Sequence, residues 1–129
     1  MNAYSDEDLN YRDETIRVSR EHEDESLRDN ELVQTTPDGF AGYDTVLVGY
    51  PIWWGIAAWP LNRFVSDNGF DGKRVITFCT SASSGMGESS TLLAELAGTG
   101  EWAEGTRFSS NSPEEEIRSW VRSLGAGAL

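Results

Sequence analysis

Two short stretches concentrate the residues able to do chemistry. The first is Tyr50-Pro51-Ile52-Trp53-Trp54-Gly55. Adjacent tryptophans bring large flat rings that are costly to expose unless they cover something. Pro51 stiffens the turn, and Gly55 lets the backbone come close to a ligand. A planar, electron-poor heteroaromatic ring fits such a shelf; packing of both rings against a neighbouring helix is the alternative. The second stretch is Thr80-Ser81-Ala82-Ser83-Ser84-Gly85-Met86-Gly87. Its small side chains leave N–H groups exposed, and at the start of a helix such a nest suits carbonyl oxygens or anions. Taken alone, it also fits an ordinary Gly/Ser connection between a strand and a helix.

Both stretches follow apolar runs that read as buried strands. Thr45-Val46-Leu47-Val48-Gly49-Tyr50 and Arg74-Val75-Ile76-Thr77-Phe78-Cys79-Thr80 are short, continuous and rich in β-branched residues, as expected of parallel strands covered on both faces. Between them, Ala57 to Asn68 carries Ala58, Leu61, Phe64 and Val65 at helical spacing. A second helix is predicted over Glu88 to Ala97, with Leu92, Leu93 and Leu96 buried and Gly98 as its stop. Glu104 to Ser109 reads as a weaker strand. The last helix is predicted to start with Ser112 as N-cap, Pro113 at N1 and Glu115 closing a capping box. Its inner face would be Ile117, Trp120, Val121 and Leu124, with Gly125 ending it. The order β-α-β-α-β-α implies a three-layer α/β/α sandwich on a parallel sheet. Ligands of such sheets sit beyond the carboxyl ends of the strands, where both stretches fall.

The remaining features set bounds. The chain has 129 residues, enough for one domain with a real core. Its formal charge is −12, with nine arginines and Lys73 as the only lysine. That balance argues against nucleic acid and would favour a basic partner, although acidity for solubility alone is the blander reading. No apolar run approaches the roughly 18 residues needed to cross a bilayer, and the acidic N-terminus does not read as a signal peptide, so a cytoplasmic protein is expected. Cys79 cannot form a disulfide within the chain and reads as a core residue; His22 reads as a solvated surface group. With one cysteine and one histidine, no metal site is expected. Residues 1–42 form a charged arm or surface helix outside the core, and residues 43–129 the domain proper.

The two loops together resemble a known family. Tyr43 to Gly55 is similar to the third strand and following loop of a subgroup of flavodoxin-like proteins. Phe70-Asp71-Gly72-Lys73, Phe78 to Ser81 and Ser84 to Gly87 have counterparts there at similar spacing, and Tyr4 to Tyr11 looks like the connection that precedes the third strand. The resemblance implies FMN binding and electron-transfer or oxidoreductase chemistry, with a quinone or another redox protein as partner. It would place Pro51, Ile52, Trp53, Trp54 and Gly55 against the isoalloxazine. Thr80, Ser81, Ala82, Ser84, Gly85 and Gly87 would lie at its pyrimidine side. A flavodoxin-fold interaction domain without flavin is the rival expectation.

The resemblance also exposes a difference. Flavodoxin-like domains begin with an apolar strand, a Ser/Thr/Gly-rich phosphate loop, a helix and a second strand, and nothing before Tyr43 matches these. The expectation is an incomplete, N-terminally truncated sandwich holding counterparts of strands three to five, without strands one and two. A start site miscalled within a longer gene product would leave the same pattern. Loss of the phosphate loop implies weakened FMN affinity. It also turns Thr45 to Gly49 into an edge strand, predicted to pair antiparallel with its copy in a homodimer.

Overall fold

The computed structural model describes residues 4–29 and 31–124. Three parallel strands form the sheet: β1 (Thr45–Trp53), β3 (Arg74–Thr80) and β4 (Glu101–Phe108). A two-residue strand, β2 (Ile56–Ala57), turns back antiparallel on the end of β1, giving the order β2-β1-β3-β4. Helices α2 (Pro60–Asp67) and α3 (Ser89–Ala97) connect the parallel strands, and α4 (Glu114–Ser123) follows β4. A short α1 (Arg17–Glu23) precedes β1.

The pleat decides which residues meet which helix. Val48, Tyr50, Val75 and Cys79 point to one face and share the core with Phe64, Val65, Phe70 and Leu93. The Tyr50 hydroxyl and Ser89 Oγ lie 2.9 Å apart, and Thr77 Oγ1 donates to Ser90 Oγ at 3.0 Å, which ties α3 to this face. On the opposite face, Phe78, Phe108 and Trp120 form an edge-to-face cluster under α4. Gly49 belongs to that cluster, because a Cβ there would overlap the Phe78 ring. The result is the expected three-layer α/β/α sandwich.

Several local expectations change. Of the predicted α3 stripe only Leu93 is buried; Leu92 and Leu96 are 44% and 47% exposed. The N-cap of α4 is Pro113, not Ser112, and no side chain caps that helix. Ser112 Oγ instead accepts from the Ser109 N–H at 2.9 Å and closes the preceding turn. No residue of α4 is buried, and Ile117 is exposed. Gly125 lies outside the described residues. Ala57 belongs to β2, so α2 starts at Pro60. Among the described residues, nothing pairs with the outer edge of β1 from Thr45 to Tyr50, and Leu47 is exposed.

The segment before β1 also departs from its reading as an arm outside the core. Val18 is buried, and Leu32 packs against the core. The buried Lys73 ammonium donates to the carbonyls of Phe40 and Tyr43, fixing the turn before β1 to the start of β3. Asn68 Nδ2 donates to the Thr35 carbonyl at 2.9 Å, and Arg63 pairs with Asp29, so the segment is tied to α2 as well. Among the described residues, no helix is long and apolar enough to cross a membrane.

Candidate functional site

The chain reverses at the carboxyl end of β1 through a two-residue hairpin loop. Ile52 faces Ala57 and Trp53 faces Ile56, so the turn consists of Trp54 and Gly55. Both have positive φ, 46° at Trp54 and 85° at Gly55. Two consecutive positive φ values are the signature of a type I′ turn, whose twist matches that of the strands it joins. Glycine adopts that backbone freely, whereas a bulky tryptophan is strained by roughly 1–3 kcal/mol. Strain of this kind concentrates where a side chain has to be aimed. Here it aims an indole that remains 43% exposed.

Beside this turn, the chain leaving β3 forms the second loop. Gly87 has φ 52°, and its Cα faces the Gly55 carbonyl so closely that an added Cβ would lie 3.7 Å from that oxygen. The two loops therefore lie side by side. Arg107 on β4 holds the rim: its guanidinium donates to Ser81 Oγ at 2.9 Å and to the Ser81 and Ala82 carbonyls at 3.0 and 2.8 Å. The Ser81 hydroxyl donates onward to the Ser84 carbonyl. Among the described residues, no acceptor takes the N–H groups of residues 82–87.

A cavity of about 480 Å³ opens between the loops. Pro51, Ile52, Trp53 and Trp54 line one side and Thr80, Ser81, Ala82 and Ser84 the other, with Ser83 between them. Gly55, Gly85 and Gly87 do not line it; they belong to the turns that shape its rim. Sequence reasoning missed the third wall, formed by Leu9, Tyr11 and Val18. It also missed His22, whose imidazole stacks on the Trp54 indole at 4.1 Å between centroids and 7° between planes, instead of standing in solvent. Three isolated apolar side chains and one histidine in a polar stretch carry no periodic signal that could have found them.

The tryptophans are layered. Trp59 is 1% exposed and lies beneath both others, edge-on to Trp53 at 4.9 Å and nearly parallel to Trp54 at 5.7 Å. Cys79 is fully buried, and burial pushes its thiol up, so it is a core residue without nucleophilic character. Burial also raises the Tyr50 hydroxyl. Among the described residues, no group of three His, Cys, Asp or Glu side chains could hold a metal ion.

A sequence model described as flavodoxin matches residues 1–124. The chain belongs to the flavodoxin family. Among solved structures, the crystal structure of a candidate flavoprotein from Bacteroides eggerthii DSM 20697 superimposes with a TM-score of 0.77 at 30% identity. The match covers 95% of this chain and 76% of that one. A candidate flavoprotein from Bacteroides uniformis ATCC 8492 gives a TM-score of 0.78 at 29% identity, covering 94% of this chain and 76% of that one. The flavodoxin-family chain thus spans about three quarters of either neighbour's length. No curated protein matches it.

Proposed function

We propose that this flavodoxin-family chain is a flavoprotein that holds a flavin by its ring system. One observation carries the reading: the tryptophan turn and the serine-glycine loop line a single cavity at the carboxyl end of the sheet. The residues fit the group. The volume lies in the range of pockets for small ligands, and the lining combines a partly exposed indole with a small-residue loop whose N–H groups have no acceptor among the described residues. A flavin is a flat ring with an apolar edge and a polar, carbonyl-bearing edge, so it needs both. Trp53, Trp54, Ile52 and Pro51 would hold the apolar part. The loop from Thr80 to Ser84, with Gly85 and Gly87 shaping it, would offer N–H donors to the ring carbonyls. The two structural neighbours, both candidate flavoproteins, support the same reading.

When bound, FMN would supply electron-transfer or oxidoreductase chemistry, and the protein would orient the ring and exclude water from one face. A quinone or a redox protein is the partner class we infer, in a cytoplasmic setting. Among the described residues, no lysine or arginine lines the cavity to meet a phosphate, so riboflavin is expected to bind about as tightly as FMN. Titrating either flavin while following flavin fluorescence tests the reading: saturable quenching supports it, and unchanged emission at high micromolar protein removes it.

A second reading rests on His22. Its imidazole already covers one face of Trp54. A domain that keeps the fold for protein interaction and does not bind flavin would have that filled face. It predicts a colourless protein whose melting temperature ignores FMN, FAD and riboflavin.

A further inference from the structure

We propose that Glu21, a residue that does not line the cavity, positions the tryptophan shelf and thereby sets how well the site binds its ring. Val18, Glu21 and His22 occupy positions i, i+3 and i+4 of α1 and therefore share one face of that helix. Val18 lines the cavity, Glu21 reaches Trp59, and His22 stacks on Trp54. One helical face thus addresses the cavity wall and two of the three layered rings.

Glu21 is the anchor of this face. It is 4% exposed, and its carboxylate accepts from Trp59 Nε1 at 3.1 Å, from Arg17 Nε at 3.3 Å and from the Tyr4 hydroxyl. A buried carboxylate is tolerated only when donors of this kind surround it. Each donor leads back to the shelf. Trp59 carries Trp53 and Trp54 on its surface. Tyr4 lies edge-on to Trp53 at 5.5 Å, with the Arg17 guanidinium 3.9 Å above its ring. The Arg28 guanidinium sits 4.6 Å over Trp59 and donates to the Glu21 and His22 carbonyls, both at 2.7 Å. A seven-residue helix with so little apolar surface does not hold itself. Its purpose on this geometry is to fix the tilt of Trp59 and, through it, of Trp54. Glu21 is then a positioning residue.

The test reads the free protein first. The five tryptophans give five indole N–H signals in a two-dimensional NMR spectrum, each assignable by Trp→Phe replacement. In Glu21→Gln, a near-isosteric change, the Trp59 and Trp54 signals should both move and acrylamide should quench tryptophan emission more strongly. Trp59→Phe, which keeps a ring but removes the N–H, should displace the Trp54 signal in the same way and serves if Glu21→Gln does not fold. The affinity arm rests on the flavin reading: each variant should weaken riboflavin binding by about tenfold, near the low end of what one hydrogen bond to a charged group contributes. The double variant should lose less than the two single losses combined, because the Glu21–Trp59 bond is common to both variants while the Tyr4 and Arg17 bonds change only with Glu21. A Trp54 signal unmoved by either variant overturns the proposal whether or not flavin binds. So does a double variant whose losses simply add. If wild type binds no riboflavin but Trp54 moves in both variants, the flavin reading fails while the positioning role stands.

Discussion

Replacing Trp54 with asparagine separates what the indole does for the fold from what it does for a ligand. The residue is 43% exposed, so somewhat over half of its surface is out of water. An aromatic side chain buries roughly 150–250 Å², which leaves about 110 Å² here, worth about 3 kcal/mol at about 25 cal/mol per Å². Against that stands the left-handed backbone at φ 46°. Relief of the strain returns roughly 1–3 kcal/mol, and asparagine before glycine is the preferred pair for a type I′ turn. The net loss is between about 0 and 2 kcal/mol, a fall in Tm of under about 10 °C. Binding has no such compensation. With His22 stacked on Trp54 and Trp59 nearly parallel beneath it, the ring would meet the indole edge. An aromatic edge contact contributes about 0.5–1.5 kcal/mol, so riboflavin affinity should fall about twofold to tenfold. Thermal melts and flavin titrations on the same samples provide both numbers. A loss of stability above about 4 kcal/mol with flavin affinity unchanged would refute the reasoning, since the indole would then be a packing residue.

Three further outcomes are expected. Gly105→Ala should destabilise the sheet by about 1–3 kcal/mol or more in urea, because a Cβ there would collide with the Thr77 carbonyl and side chain. Burial and the adjoining Glu21 push the Tyr4 phenol well above its ordinary value, and burial raises Tyr50. Both hold their protons more tightly folded than unfolded, so their contribution is intact below about pH 10 and is lost as pH rises further; Tyr4→Phe should flatten the alkaline fall in urea midpoint. The open edge of β1 is expected to pair with its copy in a dimer that weakens at low salt, because the chain carries a net charge of −12. Sedimentation should show that dimer and its loss in Leu47→Arg; a wild-type monomer at all salt concentrations contradicts it.

The parts of this molecule that were legible in the sequence are those with a period or a run. β1 and β3 are continuous apolar stretches, and both emerge as parallel strands, β3 in the centre and β1 open along most of its outer edge, with the two chemical loops at their carboxyl ends. The hairpin at Trp54-Gly55 was not legible, because its sequence lacks the Asn-Gly or Asp-Gly signal and β2 has only two residues. For α3, spacing located the stripe but not its rotation: Leu93 joins the buried core, while Leu92 and Leu96 stay about half exposed. The acidic segment before β1 was the largest surprise. It engages the site through a cation over a ring, an imidazole on an indole and one buried carboxylate. Those contacts depend on single side chains and leave no hydrophobic pattern.

The central claim is that the tryptophan turn and the serine-glycine loop are two walls of one flavin-ring site. The most direct measurement is an NMR titration of isotope-labelled protein with riboflavin, which has no phosphate to bind elsewhere. The Trp54 indole N–H and the backbone amides of Ser84, Gly85 and Gly87 should shift together along one saturation curve. Shifts confined to one loop, or scattered over the α4 surface with neither loop responding, would contradict it.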